Sequence, residues 1–219
     1  EKNIEKAENE VYYYSRSLYE SFRDIAAFYL SAPEPYFNAE KAIEFYQKAV
    51  EGDKSFIPEF AKVYKNNWKI KDEKKYFDML SAYVQEMKGK LTNGVMNNLK
   101  FDLALCYLNG IGTEKNQREA FDIFKELSTA LPYTSATLKA MESVAYCKEF
   151  GIGTDANPQE AAKIRDEIKS VALQNVWPRN MDRIYDIACL YDGNNNLSLD
   201  VQRYRDWMDF ALENRGSYH

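Results

Sequence analysis

The sequence predicts an all-α protein, a right-handed α-solenoid of about five antiparallel helix-turn-helix repeats. Three observations lead to this prediction. A loop motif, Gly-Ile-Gly-Thr, occurs twice, starting at Gly110 and Gly151, a small alanine recurs along the chain, and a polar residue follows each alanine at a nearly constant distance. Single helix pairs cannot bury their apolar faces alone, whereas stacked pairs form one continuous core.

Short polar residues mark the starts of five predicted helices, which we call B helices. Each is Asn or Asp, the residue types that accept hydrogen bonds from the unpaired N–H groups of a helix N-terminus. Beyond each one, apolar residues recur at helical offsets and define one buried stripe. The predicted caps are Asn38, Asp72, Asn116, Asn157 and Asp200.

A small alanine lies 11 or 12 residues before every predicted cap. An aromatic residue follows it three positions later in four of the five copies, and Lys148 takes that place in the remaining one. A small side chain allows a neighbouring helix to approach closely. We therefore predict a buried first helix, the A helix, around each of Ala26, Ala61, Ala104, Ala145 and Ala188.

The Gly-Ile-Gly-Thr loop is expected to join an A helix to a B helix. Its first glycine, Gly110 or Gly151, should take a positive φ and end the A helix. Its isoleucine should turn into the core, and its second glycine should bend the chain towards the cap. A phosphate-binding loop is the alternative, but it requires a preceding strand and a helix directly after the glycines. The sequence predicts neither, so it favours a structural turn.

We predict that residues 1–219 form a single solenoid domain. A lead-in helix is expected at 1–24, followed by repeats at about 25–52, 56–88, 95–130, 133–174 and 178–215.

Composition disfavours several classes of function. With 29 basic and 34 acidic residues, the net charge is −5, and no basic patch suggests binding to nucleic acid. The chain has no apolar run long enough for a membrane span. Its one histidine, His219, is the last residue, which removes histidine-based catalysis and most zinc sites. We expect no enzymatic activity, no cofactor and no metal.

The motifs resemble those of the Sel-one-like (Sel1-like) repeat family, a relative of the tetratricopeptide repeats. Ala-x-Leu/Val-Tyr-x-x-Gly-x-Gly, the Asn or Asp cap, and Lys-Ala-x-x-Phe-Tyr-x-Lys-Ala-x-x-Gly at Lys41–Gly52 carry the resemblance. It is close in repeats one, three and four. Repeats two and five depart from it, because Asn67 and Asn194 replace the first glycine of the loop.

This resemblance implies a non-catalytic adaptor that holds a partner protein or peptide on a concave surface. Family members act in signalling, membrane-protein quality control, bacterial host interaction and exopolysaccharide export. A bacterial periplasm or cell envelope, within an envelope or secretion complex, is the location that the resemblance favours, with the cytoplasm as the alternative. No particular partner is implied.

If the tetratricopeptide arrangement holds, the A helices line the inner groove. Residues one and four positions after each alanine, such as Leu30, should point into it, as should residues one turn earlier. We predict a groove that is basic towards the N-terminal half, apolar in the middle, and acidic with tyrosines towards the C-terminal half, which would orient a peptide. The alternative is an ordinary solvated helix face. The predicted partner-binding residues are Arg23, Lys62, Lys65, Leu105, Leu108, Tyr146, Glu149, Tyr185 and Asp192.

The three cysteines are too few and too far apart for a disulfide framework or a metal cluster. Cys106 and Cys147 lie two residues after a small alanine and are predicted to be core thiols. Cys189 lies one residue after its alanine and should face the groove. A redox role there would require an accessible thiol with a low pKa.

Two other functions compete with a binding scaffold. Carboxylates such as Asp182, Asp186 and Asp192, or Glu142 and Glu149, could serve a carbohydrate-binding or sugar-processing module. Glycoside hydrolysis needs two carboxylates roughly 5–10 Å apart, a distance that helical spacing also produces by accident. Self-assembly through the terminal repeats is a third possibility, and it is compatible with a scaffold.

Overall fold

The structure, a computed structural model, describes residues 2–174, 179–194 and 197–215. Over these ranges the chain is helical, with no β-strand beyond an isolated bridge between Asp192 and Leu199. The all-α prediction is confirmed. The helices are α1 (Lys2–Ser31), α2 (Ala39–Gly52), α3 (Ile57–Asn66), α4 (Glu73–Glu86), α5 (Asn93–Asn109), α6 (Gln117–Ser128), α7 (Ser135–Phe150), α8 (Pro158–Gln174), α9 (Arg179–Ala188) and α10 (Val201–Arg215), with single 3-10 turns at Lys54–Phe56 and Cys189–Tyr191.

The described helices form five consecutive A–B pairs. The odd-numbered helices are A helices and the even-numbered helices are B helices, and α1 joins the predicted lead-in to the first A helix in one continuous helix. Helix α1 packs on α2, α5 on α6, α7 on α8, and α9 on α10. The A helices α5, α7 and α9 also contact one another in succession, as expected for stacked repeats.

The chain divides into two compact units, Glu1–Tyr83 and Val84–His219. The first contains repeat one and most of repeat two, and the second contains the last residues of α4 and repeats three to five. A single apolar core runs through the second unit, where large buried side chains come from α5, α6, α7, α8, α9 and α10. That all five repeats form one domain stays a prediction.

The recurring alanines occupy the positions expected of them. All five are fully buried, and each lies within an A helix. Because a larger side chain at these points would push the neighbouring helix away, the alanine determines how closely two helices approach. The predicted burial is confirmed at Ala26, Ala61, Ala104, Ala145 and Ala188.

Each predicted cap starts a B helix through the same hydrogen bond. The side-chain oxygen of the cap accepts from the backbone N–H three residues later, at N···O distances of 2.9–3.0 Å. One of the unpaired N–H groups at the helix start is thereby satisfied. The prediction is confirmed at Asn38, Asp72, Asn116, Asn157 and Asp200.

A second hydrogen bond explains the constant distance between alanine and cap. The backbone N–H of every cap donates to the carbonyl oxygen of the residue three positions after the alanine. Each B helix is therefore tied to its A helix at one defined carbonyl. Since that acceptor is a backbone group, Lys148 can replace the aromatic residue without changing this hydrogen bond between the two helices. The acceptor carbonyls belong to Tyr29, Tyr64, Tyr107, Lys148 and Tyr191.

The Gly-Ile-Gly-Thr loops are turns between helices. Gly110 and Gly151 end α5 and α7 with φ values of 74° and 69°, and Gly112 and Gly153 also have positive φ. Ile111 is buried, and Ile152 is half-buried against the core. This left-handed conformation suits glycine, which lacks a Cβ. The prediction of a structural turn is confirmed.

Removing one cap tests this account of the B helices. The Asn116→Ala variant leaves the backbone bond to Tyr107 in place and deletes the side-chain acceptor for Glu119 N–H. We expect it to lower the free energy of unfolding by about 1 kcal/mol. Urea unfolding followed by circular dichroism measures the loss. Asn116→Ser, which keeps a capping oxygen, should lose much less, and equal losses in both variants would contradict the account.

Candidate functional site

An open groove lies between α1 and α3 in the first unit. It encloses about 300 Å³ and is lined by Leu30 of α1 and by Glu59, Lys62, Val63, Asn66 and Asn67 of α3 and its end. Sequence reasoning had placed Leu30 and Lys62 on this surface. The structure brings both of them to the same groove, which we call the α1–α3 groove.

The walls of the α1–α3 groove combine apolar and charged groups. Glu59 accepts a hydrogen bond from the hydroxyl of Tyr46, at 3.2 Å, and lies 3.5 Å from Nη1 of Arg23. Burial, followed by the charge of Glu59, raises the pKa of Tyr46, so this phenol remains a donor. Arg23, a predicted binding residue, is therefore partly engaged within the chain. Lys62 is exposed in the groove.

Lys65, the other predicted basic residue, is half-buried. Its ammonium group lies 5.4 Å from the ring centroid of Tyr76, a cation–π contact that joins α3 to α4. Part of its role is thus packing within repeat two.

Two aromatic side chains are exposed in the loops that follow the A helices α1 and α3. Trp68, which follows Asn67, is 82% exposed, and Tyr36 is 66% exposed. Lys69 holds their two loops together, because its ammonium lies 2.8 Å from the Glu34 carboxylate and 3.7 Å from the ring centroid of Phe37. We call Tyr36 and Trp68 the aromatic edge.

The prediction that the middle of the binding surface is apolar, with Leu105 and Leu108 exposed there, is wrong. Leu105 and Leu108 are only 2% and 4% exposed, and both belong to the core of the second unit. Helix α5 contacts α6 and α7, and these neighbours cover positions that are more open on other A helices. Neither leucine is accessible to a partner.

A buried charge network lies in repeats four and five. The carboxylate of Glu142, on α7, is fully buried. It accepts two hydrogen bonds from Nε of Arg165, on α8, at 3.0 and 3.2 Å, and one from the hydroxyl of Tyr191. Burial raises the pKa of Glu142, against the opposing effects of Arg165 and Tyr191. This carboxylate is part of the interior.

Glu149, a predicted binding residue, extends the same network two helical turns further along α7. The guanidinium of Arg203, on α10, donates hydrogen bonds to both carboxylate oxygens of Glu149, at 2.9 and 3.0 Å. Nη2 of Arg165 lies 2.8 Å from Oε2 of the same carboxylate. Desolvation acts to raise its pKa, but the two guanidinium groups together outweigh this effect and lower it. Glu149 thus links α7 to α8 and α10 rather than standing free for a partner.

The other carboxylates considered for sugar chemistry also make contacts within the chain. Asp186 accepts a hydrogen bond from the Ser135 hydroxyl, and Asp192 accepts from the backbone N–H of Asn194 at 2.8 Å. Asp182 is exposed. Sequence spacing alone did not reveal that Glu142 and Glu149 meet arginines. The sequence feature that could have indicated this network is the seven-residue spacing of the two glutamates, which places both on one face of α7.

The remaining predicted residues of the acidic, tyrosine-rich face differ in accessibility. Tyr185 is half exposed, whereas Asp192 and Tyr146 are half-buried. The Tyr146 ring packs on Phe150 and Tyr191, at centroid distances of 5.1 and 6.2 Å. Tyr185 is therefore the most accessible of these side chains.

The predicted burial of two cysteines is confirmed. Cys106 and Cys147 are buried, and burial raises the pKa of Cys147 to about 12. Cys189 is half-buried, and burial raises its pKa as well. The low pKa that a redox thiol requires is absent at this residue.

Two further observations concern the described part of the chain. None of its helices is long and apolar enough to cross a membrane. No group of three or more His, Cys, Asp or Glu side chains within it could hold a metal ion.

The capped A–B pairs and the left-handed glycine turns define a helical-repeat protein. A family model described as Sel1 repeat matches the chain at residues 27–54, 100–128 and 138–163. These stretches fall in repeats one, three and four, the copies in which the motif is closest. The family model therefore matches three of the five repeats, and the resemblance stated from the sequence is confirmed.

One solved structure supports the same fold. A Sel1 repeat protein from Oxalobacter formigenes has a TM-score of 0.51 and 16% sequence identity, over 90% of this chain and 73% of that chain. The protective antigen c5321 from uropathogenic Escherichia coli, described as displaying an SLR fold, has a TM-score of 0.32 and 14% identity. The alignment with c5321 covers 89% of this chain and 46% of that protein, so this chain spans about half its length. A comparison with curated proteins gives no match.

Proposed function

We propose that this chain is a non-catalytic scaffold that binds an extended segment of another protein in the α1–α3 groove. The observation that carries the proposal is the groove itself, an open cleft lined by the apolar side chains of Leu30 and Val63 and by the exposed residue Lys62. Clefts of this kind hold a peptide through a few apolar anchors, while charged groups orient it.

The polar groups of the groove suit a peptide backbone. Asn66 and Asn67 line the cleft, and a side-chain amide can both donate to a carbonyl oxygen and accept from an N–H group. Lys62 would pair with a carboxylate of the partner. We therefore expect a partner segment that combines an apolar residue with a nearby Asp or Glu.

The aromatic edge adds a surface for tighter binding. Trp68 and Tyr36 are the kinds of side chain that supply most of the energy in protein interfaces. Their high exposure leaves large apolar faces in water, and covering these faces with a partner would be favourable. The Lys69–Glu34 pair joins the two loops, and loops that are already joined lose less entropy on binding.

We also infer that the partner is a protein and that the complex lies in the bacterial envelope. Sel1 repeats and the tetratricopeptide-like arrangement favour protein partners, and the resemblance favours a bacterial envelope or secretion complex. Among the predicted binding residues of the second unit, Tyr185 is the most exposed, and we infer a further contact there. The sugar-processing alternative has less support, since Glu142 and Glu149 are paired with arginines.

Charge reversal in the groove tests the proposal. A partner would first be captured with the purified chain, identified, and then measured as a pure protein by calorimetry. We expect Lys62→Glu to raise its Kd about tenfold or more, because a favourable charge contact becomes a repulsive one. Lys62→Glu/Lys65→Glu tests the second predicted lysine on the same helix.

The matched control is Lys125→Glu, which reverses an exposed lysine on α6 in the other unit. Its Kd should stay close to that of the unchanged chain. If Lys62→Glu binds as tightly as Lys125→Glu, the partner does not use the α1–α3 groove.

A further inference from the structure

The sequence contains two Asn-Gly dipeptides, Asn93–Gly94 and Asn109–Gly110, one at each end of α5. Asparagine loses its side-chain amide most readily before glycine, because glycine has no side chain to hinder its own backbone nitrogen. The reaction also requires that this nitrogen is not held by a hydrogen bond and that the backbone around it can rearrange. The two ends of α5 differ in both respects.

At the start of α5, the helix leaves the backbone nitrogen of Gly94 without an acceptor. Gly94 is the second residue of α5, a position whose N–H group has no carbonyl one turn earlier. The preceding residue, Thr92, makes no side-chain capping hydrogen bond. Asn93 is exposed, as are its neighbours Thr92 and Val95. The amide side chain of Asn93 therefore lies in water beside an N–H group that the helix does not use.

At the end of α5, hydrogen bonds hold the corresponding nitrogen. The N–H group of Gly110 donates to the carbonyl oxygen of Cys106 at 2.8 Å, and that of Ile111 donates to the same oxygen at 3.0 Å. The Ile111 side chain is buried in the core. Rearranging the backbone at Asn109 would break these hydrogen bonds and bring Ile111 into water, which is unfavourable.

The fold does not require a glycine at position 94. Its φ lies outside the left-handed region, and an added Cβ would meet no atom within 4 Å. By contrast, Gly110 has a φ of 74° and ends the helix. Glycine is a poorer helix former than alanine, so Gly94 loosens the first turn of α5. The opening of a helix end costs little free energy, and this turn can therefore rearrange.

We propose that Asn93 is a site of spontaneous deamidation in the folded protein, whereas Asn109 is protected. The Gly94 nitrogen gives up its proton to water and attacks Cγ of Asn93. The new C–N bond closes a five-membered succinimide ring, while the side-chain nitrogen takes up a proton and leaves as ammonia. Water then adds to one of the two ring carbonyls and breaks its bond to the ring nitrogen. Addition at Cγ gives aspartate, and addition at the backbone carbonyl gives isoaspartate.

The two products change the start of α5 in different ways, although both add one negative charge. Aspartate keeps the normal backbone and places a carboxylate in the first turn, where it interacts favourably with the helix dipole. Isoaspartate adds a methylene group to the backbone. The spacing that lets the N–H group of Met96 donate to the carbonyl oxygen of Thr92, at 3.0 Å, is then lost. Isoaspartate therefore unwinds this turn.

Peptide mapping of the intact chain tests the proposal. The purified protein is incubated at mildly alkaline pH and digested in acid, which stops further conversion, and each asparagine is then followed by mass spectrometry. We expect Asn93 to convert about tenfold faster or more than Asn109 in the folded chain. In urea, both should convert at similar rates, since both precede glycine. Similar rates in the folded chain overturn the proposal, as does an Asn93 that folding protects as strongly as Asn109.

Gly94→Ala tests the chemical step. The added methyl group lies in open space, so the fold should be retained, and thermal unfolding would verify this. We expect conversion of Asn93 to slow about tenfold or more, because the methyl group hinders ring closure, while Asn109 is unaffected. Val95→Ala, which alters an exposed residue next to Gly94, is the matched control and should leave the rate unchanged. A rate that Gly94→Ala does not lower overturns attack by this nitrogen.

Discussion

Arg165→Met is expected to lower the free energy of unfolding of the second unit by about 3–5 kcal/mol. The change removes the guanidinium group that makes two hydrogen bonds to Glu142 and leaves this carboxylate fully buried without its cation. Tyr191 alone cannot replace that charge. Urea unfolding followed by circular dichroism measures the loss, and an effect below about 1 kcal/mol would contradict an interior ion pair.

A double variant separates the contribution of the ion pair to stability from the contributions of its two residues. In Glu142→Met/Arg165→Met no charge of this pair remains, and side chains of similar size fill the space. Part of the stability should return, because exchanging a buried ion pair for packed apolar groups is often neutral or stabilising. The remaining loss reflects the buried Tyr191 hydroxyl, which no longer has Glu142 as its acceptor, and the missing contact of Arg165 with Glu149. The control single variant is Arg118→Met, which removes an exposed i,i+4 pair with Asp122 and should cost less than about 1 kcal/mol.

Gly153→Ala is expected to lower the free energy of unfolding by about 2–5 kcal/mol. The residue has a φ of +66°, and an added Cβ would lie 2.0 Å from the carbonyl oxygen of Gln117, at the start of α6. No side-chain rotation can relieve a contact with the backbone. The loop of repeat four would have to move away from repeat three.

Gly151→Ala provides the matched control within the same loop. This glycine also has a positive φ, +69°, but its added Cβ would come no closer than 3.4 Å to the Cβ of Ala156. Only the conformational cost remains, about 1–2 kcal/mol. Thermal unfolding of both variants compares them, and equal losses would show that the contact between repeats is unimportant.

These two predictions concern contacts between helices that the sequence pattern did not reveal, within repeat four at Arg165 and between repeats three and four at Gly153. The motif had indicated that Gly153 is needed for a turn, and the structure adds that it faces the start of a B helix in the preceding repeat. Similarly, Glu142 and Glu149 had been considered as exposed carboxylates on an A helix. Their partners, Arg165 and Arg203, come from two B helices that lie 23 and 54 residues further along the chain.

The candidate site was predicted only in part. Lys62 and Leu30 line one groove, as their positions after the small alanine suggested. Leu105 and Leu108 occupy the equivalent positions in repeat three, yet they are buried. Equal positions in a repeat therefore do not have equal exposure, since the neighbouring helices differ from one repeat to the next.

By itself, the sequence determined the helix pairs, their caps, their glycine turns and the buried alanines. All of these depend on hydrogen bonds and side-chain spacing within about a dozen residues, such as the bond from each cap to its own A helix. The tertiary structure alone decided which side chains remain accessible, which carboxylates are neutralised, and where an open groove lies. Burial and ion pairing arise where helices from distant parts of the chain meet, and no local pattern specifies those meetings.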